Sequence, residues 1–181
     1  MTAFVMRNSS SFAAAGVPLN AGMLTRNSKY LIERLRVGQY EGCLGPCPIS
    51  LTDKLTVIAA LAHAGSYESA LRNWELVKST PRTLSGEVAV LDILSGMIAS
   101  KEITAPQKAA FVQLAREISE RIIKSEVVYN PRGAYLSTEV NGSRVLATAE
   151  FVTRLADLGI ESIAGDEIIE NMMRFLASAK L

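Results

Sequence analysis

Histidine is almost missing from this chain: among 181 residues there is one, His63. General-base, activated-nucleophile and zinc-ligand sets nearly all use a histidine with partners. No Asp, Glu or Cys stands at a useful helical spacing from His63, which sits beside Ala64-Gly65 and reads as a helix-end histidine near the C-terminal dipole. Aromatic residues make up only 6%, and the 49% apolar content is mostly Ala, Leu, Ile and Val, a mixture that suits closely packed helices better than a β-sandwich. Neither sign of charge dominates. Nineteen basic and eighteen acidic residues leave +1, with no run of five or six like charges. That excludes the clustered basic excess of a nucleic-acid or anionic-membrane surface. No apolar run reaches the ~18 residues a bilayer span needs.

Sites for phosphate and diphosphate chemistry are also missing. There is no Asp-Asp-x-x-Asp to hold a magnesium diphosphate, and no Asp-x-Asp-Asp to protonate an alkene. Gly42 and Gly45 lack the Lys-Ser/Thr that completes a phosphate loop. Asn8-Ser9-Ser10 and Asn141-Gly142-Ser143 match the three-residue glycosylation acceptor, the first inside an expected helix. Arg132, in the turn Asn130-Pro131-Arg132-Gly133, and Trp74, on an apolar stripe, read as a turn residue and a packing residue. The residues define no catalytic set, metal site or cofactor site, so the chain reads as a non-enzyme.

What the sequence does have is helical periodicity. Leu55, Ile58 and Leu61 share a face, as do Ala70, Trp74 and Val77; Val90, Leu94 and Met97; and Phe111, Leu114, Ile118 and Ile122. Thr104-Ala105-Pro106-Gln107 has the spacing of a capping box with proline in the first turn. Ser50 and Asp53 open another helix, and Asp166-Glu167 place negative charge at the start of the last. Gly16, Gly65 and Gly159 follow Ala/Leu-rich helices as left-handed caps would. These signals predict about eight helices, near 2–15, 20–36, 51–64, 67–79, 85–99, 105–124, 143–158 and 165–179. Two longer connections remain, 37–50 and 125–142. Only "VVYNPRGAYLS" in the second could supply a strand, and its proline and glycine argue for an irregular loop. The helices pair as αα-hairpins, which must stack or close into a ring to bury their faces. Irregular glycine spacing favours a toroid over an equal-repeat solenoid.

Both cysteines lie in Tyr40–Pro48, "YEGCLGPCP". Three residues separate Cys43 from Cys47, one more than a Cys-x-x-Cys redox pair, and one distant histidine cannot complete a zinc set. A disulfide would close a very short loop and gain little in chain entropy. Residue chemistry leaves a disulfide and a pair of thiols both open. The N-terminus shows no basic region followed by an apolar one, as a signal peptide would. Both termini look helical in pattern, and a fragment of a larger protein is expected.

In order, these pieces resemble the thioester domain of the alpha-2-macroglobulin and complement family, its bacterial branch most. The similarity runs through "TAFV" at Thr2–Val5, "AAAGVPLN", "LTRNSKYLIERL", "YEGC", "LTDKLTVIAALAHAGSYESAL", "GAYLSTEVNGSRVLATAEFVTRLADLG" with its Thr148-Ala149 pair, and "IIENMMRFLASAKL". It covers nearly the whole chain, as pattern and small motifs. It implies an all-α fold of αα-hairpins forming a partial α/α toroid, with residues 1–181 a single domain cut from a larger one. It further implies a non-catalytic scaffold segment of a bacterial protease trap. The partners would be the other domains of the parent and, through them, target proteases. The expected location is the periplasm or cell envelope, with no nucleic acid, no direct membrane contact and no cofactor. The family's thioester needs Cys-x-Glu-Gln; here Gly45 and Pro46 stand where Glu and Gln are required, so Cys43 is not the reactive cysteine. Cys43 falls where some members carry a structural cysteine, which in an oxidising envelope raises a Cys43–Cys47 disulfide to equal standing with a pair of idle thiols. The alternatives are a terpene-cyclase or prenyltransferase-like toroid and a free-standing helical repeat module that binds proteins.

Overall fold

The computed structural model describes residues 2–9, 12, 15–17, 19–42, 45–140 and 142–179. The fold is all-α, with eight α-helices among those residues: α1 Thr2–Arg7, α2 Ala21–Val37, α3 Leu51–His63, α4 Tyr67–Val77, α5 Leu84–Ile98, α6 Ala105–Glu126, α7 Arg144–Leu158 and α8 Asp166–Ser178. The expected boundaries hold to within two residues for all but the first, whose helix is described as Thr2–Arg7, part of its expected span lying outside the described residues. A 3₁₀ turn, Glu161–Ile163, precedes α8.

The end signals work as the sequence proposes. Thr104 and Gln107 form a full capping box, with a proline in the first turn of α6. The Ser50 hydroxyl accepts from Asp53 N at 3.1 Å to open α3. Gly65 (φ +78°) and Gly159 (φ +64°) adopt the left-handed conformation that L side chains rarely take. Behind Gly65, Ser66 N reaches back to Leu61 O at 2.9 Å and closes the last turn of α3.

The two longer connections, the second of them expected to be an irregular loop, are antiparallel hairpins. β1 Gln39–Gly42 pairs with β2 Gly45–Pro48, and β3 Val127–Asn130 pairs with β4 Gly133–Leu136. Prolines argued against strands because they cannot donate to a ladder, yet their positions remove that cost. Ile49 N bonds Gly38 O at 2.9 Å, so the hydrogen-bonded pairs recur at Tyr40–Cys47 and Gly42–Gly45. Pro46 and Pro48 fall at the alternate positions, where the missing N–H would have pointed away from the partner strand. In the second hairpin Pro131 lies between the strands, in the two-residue turn, where its fixed φ is an advantage. Asn130 Oδ1 accepts from Arg132 N at 2.8 Å and tightens that turn.

The chain divides into two compact units, residues 1–81 with 95–103, and residues 82–94 with 104–181, so that α5 lends its last turn to the first unit and the rest to the second. In the first, α3 is the central helix, packed by α1, α2 and α4. Its Leu55, Ile58, Ala59, Ala60 and Leu61 are fully buried, together with Met6, Ala70 and Met97. The Ser66 hydroxyl donates to Ser28 Oγ at 3.0 Å, tying the α3–α4 turn to α2. In the second unit Leu91, Ile93, Leu94, Ile118, Ile122, Phe151 and Leu155 form the core.

The β3–β4 hairpin is built into that second unit through β4, which packs on α7 and α8. Gly133 is the reason it can lie so close. A Cβ there would stand 2.1 Å from Asn171 O and 2.8 Å from Phe175 N of α8. One turn of side chains then grips the strand: Tyr135 stacks on Phe175 with centroids 5.0 Å apart, and the Arg144 guanidinium lies 5.8 Å over the Tyr135 ring.

Candidate functional site

Cys47 lies half-buried on β2, opposite Tyr40 in the register, while Cys43 is outside the described residues. The cysteine-bearing segment is therefore part of a hairpin that packs against α2 through β1. Asn8 follows α1 in a turn; Ser10 and the second glycosylation candidate, Asn141, are outside the described residues. Trp74 is 2% exposed and packs in the first unit, as its stripe predicts. Arg132 is exposed at the tip of the second hairpin.

His63 ends α3, and the fold gives it neighbours that its local sequence does not. A cavity of about 400 Å³ is lined by His63, Ser100, Lys101 and Glu102 with the backbone of Gly65 and Gly96. Gly96 permits the approach, since a Cβ there would lie 2.9 Å from Ala62 Cβ and 3.0 Å from His63 N. Next to this region Tyr67 is 5% exposed, and its hydroxyl has no hydrogen-bond partner. Burial pushes the Tyr67 hydroxyl above the usual tyrosine pKa, and the charge of Glu102 adds to the shift. An acid, a base and a neutral hydroxyl thus share one neighbourhood. Two helix C-termini, of α3 and α5, end there as well, and the Lys101 charge has the sign that favours their carbonyl ends.

The second unit places its ionic groups differently. Asp92, 5% exposed, lies in the apolar face of α5, and Arg154 Nε of α7 stands 3.1 Å from its Oδ1, off hydrogen-bond alignment. Arg154 also pairs with Asp157 one turn on. Glu87 holds Arg121 through two contacts, of 2.8 and 3.3 Å. Beside them, burial lowers the Arg82 pKa, with the Arg121 charge acting the same way and Glu87 against it. Thr148, fully buried, accepts from Leu136 N at 3.1 Å and donates to Arg144 O at 2.8 Å. Register explains the first bond. Leu136 occupies a non-hydrogen-bonded position opposite Val127, so its N–H faces away from β3 and meets Thr148 on α7.

Sequence reading did not find Asp92 and Arg154, although one signal was available. Asp92 is the only charged residue in the run Val88–Ile98, and a carboxylate in an apolar helix face must find a partner. Among the described residues no group of three His, Cys, Asp or Glu could hold a metal ion, and no helix is long and apolar enough to cross a membrane. No family model, no curated protein and no solved structure matches the chain.

Proposed function

We propose that this chain is a non-catalytic helical scaffold, one segment of a macroglobulin-like protease trap of a bacterial envelope, with its αα-hairpins forming part of an α/α toroid. The observation that carries the scaffold reading is the use of Thr148. The Thr148-Ala149 pair is one of the motifs of the resemblance, and its hydroxyl is fully buried and engaged on both sides, fastening a hairpin to a helix. Asp92 and Arg154 support it in the same way, with charge buried between helices and held there by a partner.

A trap is recognised by size selectivity. The reading frame that contains this chain, expressed whole and incubated with a trypsin-type protease, should leave the enzyme active on a short chromogenic peptide while suppressing hydrolysis of a large protein. Equal activity on both substrates, or inhibition of both, would contradict the trap. Turnover of an allylic diphosphate with magnesium by the 181-residue chain would favour the cyclase-like alternative instead.

A further inference from the structure

The first unit carries a second concavity, of about 250 Å³, between α1, α2 and α3. Leu31, Ile49 and Val57 supply its apolar wall, Tyr30 and Arg34 its α2 rim, and Asp53 its α3 rim. Its volume is below the roughly 300–1,000 Å³ of a drug-sized site, so it suits a single apolar side chain or a small acid. The charged group that matters here is Arg34. Its guanidinium stacks 5.2 Å over the Tyr30 ring, and its Nε is buried without a hydrogen-bond partner. The adjacent carboxylate does not help, because Glu33 is already held by Arg36 at 2.6 and 2.8 Å. Across the groove, the Asp53 carboxylate accepts from Ser50 Oγ at 2.7 Å, within the cap of α3.

We propose that this groove binds a carboxylate carried on a small apolar group, with Arg34 as the anion-recognising residue. A planar guanidinium already fixed by an aromatic ring presents its N–H edge with little further loss of freedom, and a carboxylate matches that edge with two parallel bonds. Leu31, Ile49 and Val57 then cover the apolar body. The same chemistry is offered by a free acid and by the C-terminal residue of a peptide.

Amide-resolved NMR titration of the 181-residue chain tests this with three probes. N-acetyl-leucine, which has the carboxylate and no ammonium, should give saturable shifts confined to α1, α2, α3 and Ile49. Leucinamide, with the ammonium alone, should give none. In Arg34→Met, N-acetyl-leucine should bind at least about tenfold more weakly, the scale of one charge-assisted hydrogen bond. Arg34→Met keeps the apolar stem, and an unchanged circular dichroism spectrum confirms the fold. Asp53→Asn, which keeps the bond to Ser50, should tighten binding by removing a like charge. The proposal is overturned if N-acetyl-leucine does not bind the wild-type chain, or binds Arg34→Met equally well. It is also overturned if leucinamide binds as tightly or Asp53→Asn weakens binding, for Asp53 would then be the recognising group. An N-acetylated tripeptide ending in leucine separates the two sources: tighter binding than N-acetyl-leucine assigns the groove to a chain end, equal binding to a free acid.

Discussion

Thr148 and Tyr67 show two opposite fates of a buried hydroxyl. The Thr148 hydroxyl satisfies a strand N–H that has no other partner, so Thr148→Val, nearly identical in shape, should cost ~1–3 kcal/mol, the penalty of one orphaned buried donor. Chemical denaturation measures this directly. An unchanged midpoint would mean that Leu136 N finds another acceptor. The Tyr67 hydroxyl has no partner, and burial raises its pKa above the ordinary 10.0. The sign follows from proton counting. Above about pH 10 the unfolded chain releases this proton while the folded one keeps it, so stability is fully present below that value and falls as pH rises through the folded pKa. Tyr67→Phe should match or exceed the wild type at neutral pH and lose less stability between pH 9 and pH 11, as read from urea midpoints at each pH. A Phe variant with the same alkaline loss would assign the effect to other groups.

At the scale of elements, what the sequence disclosed depended on how local the cause was. Helix ends rest on contacts within five residues, and Ser50-Asp53, Thr104-Gln107, Gly65 and Gly159 could be read directly. The hairpins could not. Their strands are four residues long, too short for periodicity to register, and the prolines that argued against them are harmless only in one register. Gly133 belongs to the same class: its need for glycine comes from the backbone of α8, distant in sequence. Gly133→Ala should therefore cost ~3 kcal/mol or more, since a methyl group must displace backbone rather than a flexible side chain. Hydrogen exchange should show the loss concentrated in β4 and α8. Uniformly faster exchange through the second unit would indicate that the hairpin is not a separate docking element.

For the whole molecule, composition and periodicity were enough to give an all-α fold of about eight helices, because apolar stripes and scarce aromatics are averaged over many residues. The sites were less legible. Glu102 and Lys101 join His63, and Arg154 joins Asp92, across dozens of intervening residues, and only the packing of α3, α5 and α7 brings them together. The cysteine loop, prominent in the sequence, became a proline-spaced hairpin, and the groove beside Arg34 had no sequence signature at all. In the proposed role, these groups hold a scaffold together inside a protease trap. That role is tested most directly by exposing the protein that contains this chain to an excess of protease, isolating the product by size, and mapping its peptides. The protease should co-purify with the product, and the helices of both units should remain uncut. A product free of protease, or one in which these helices are cut as fast as exposed loops, would contradict it.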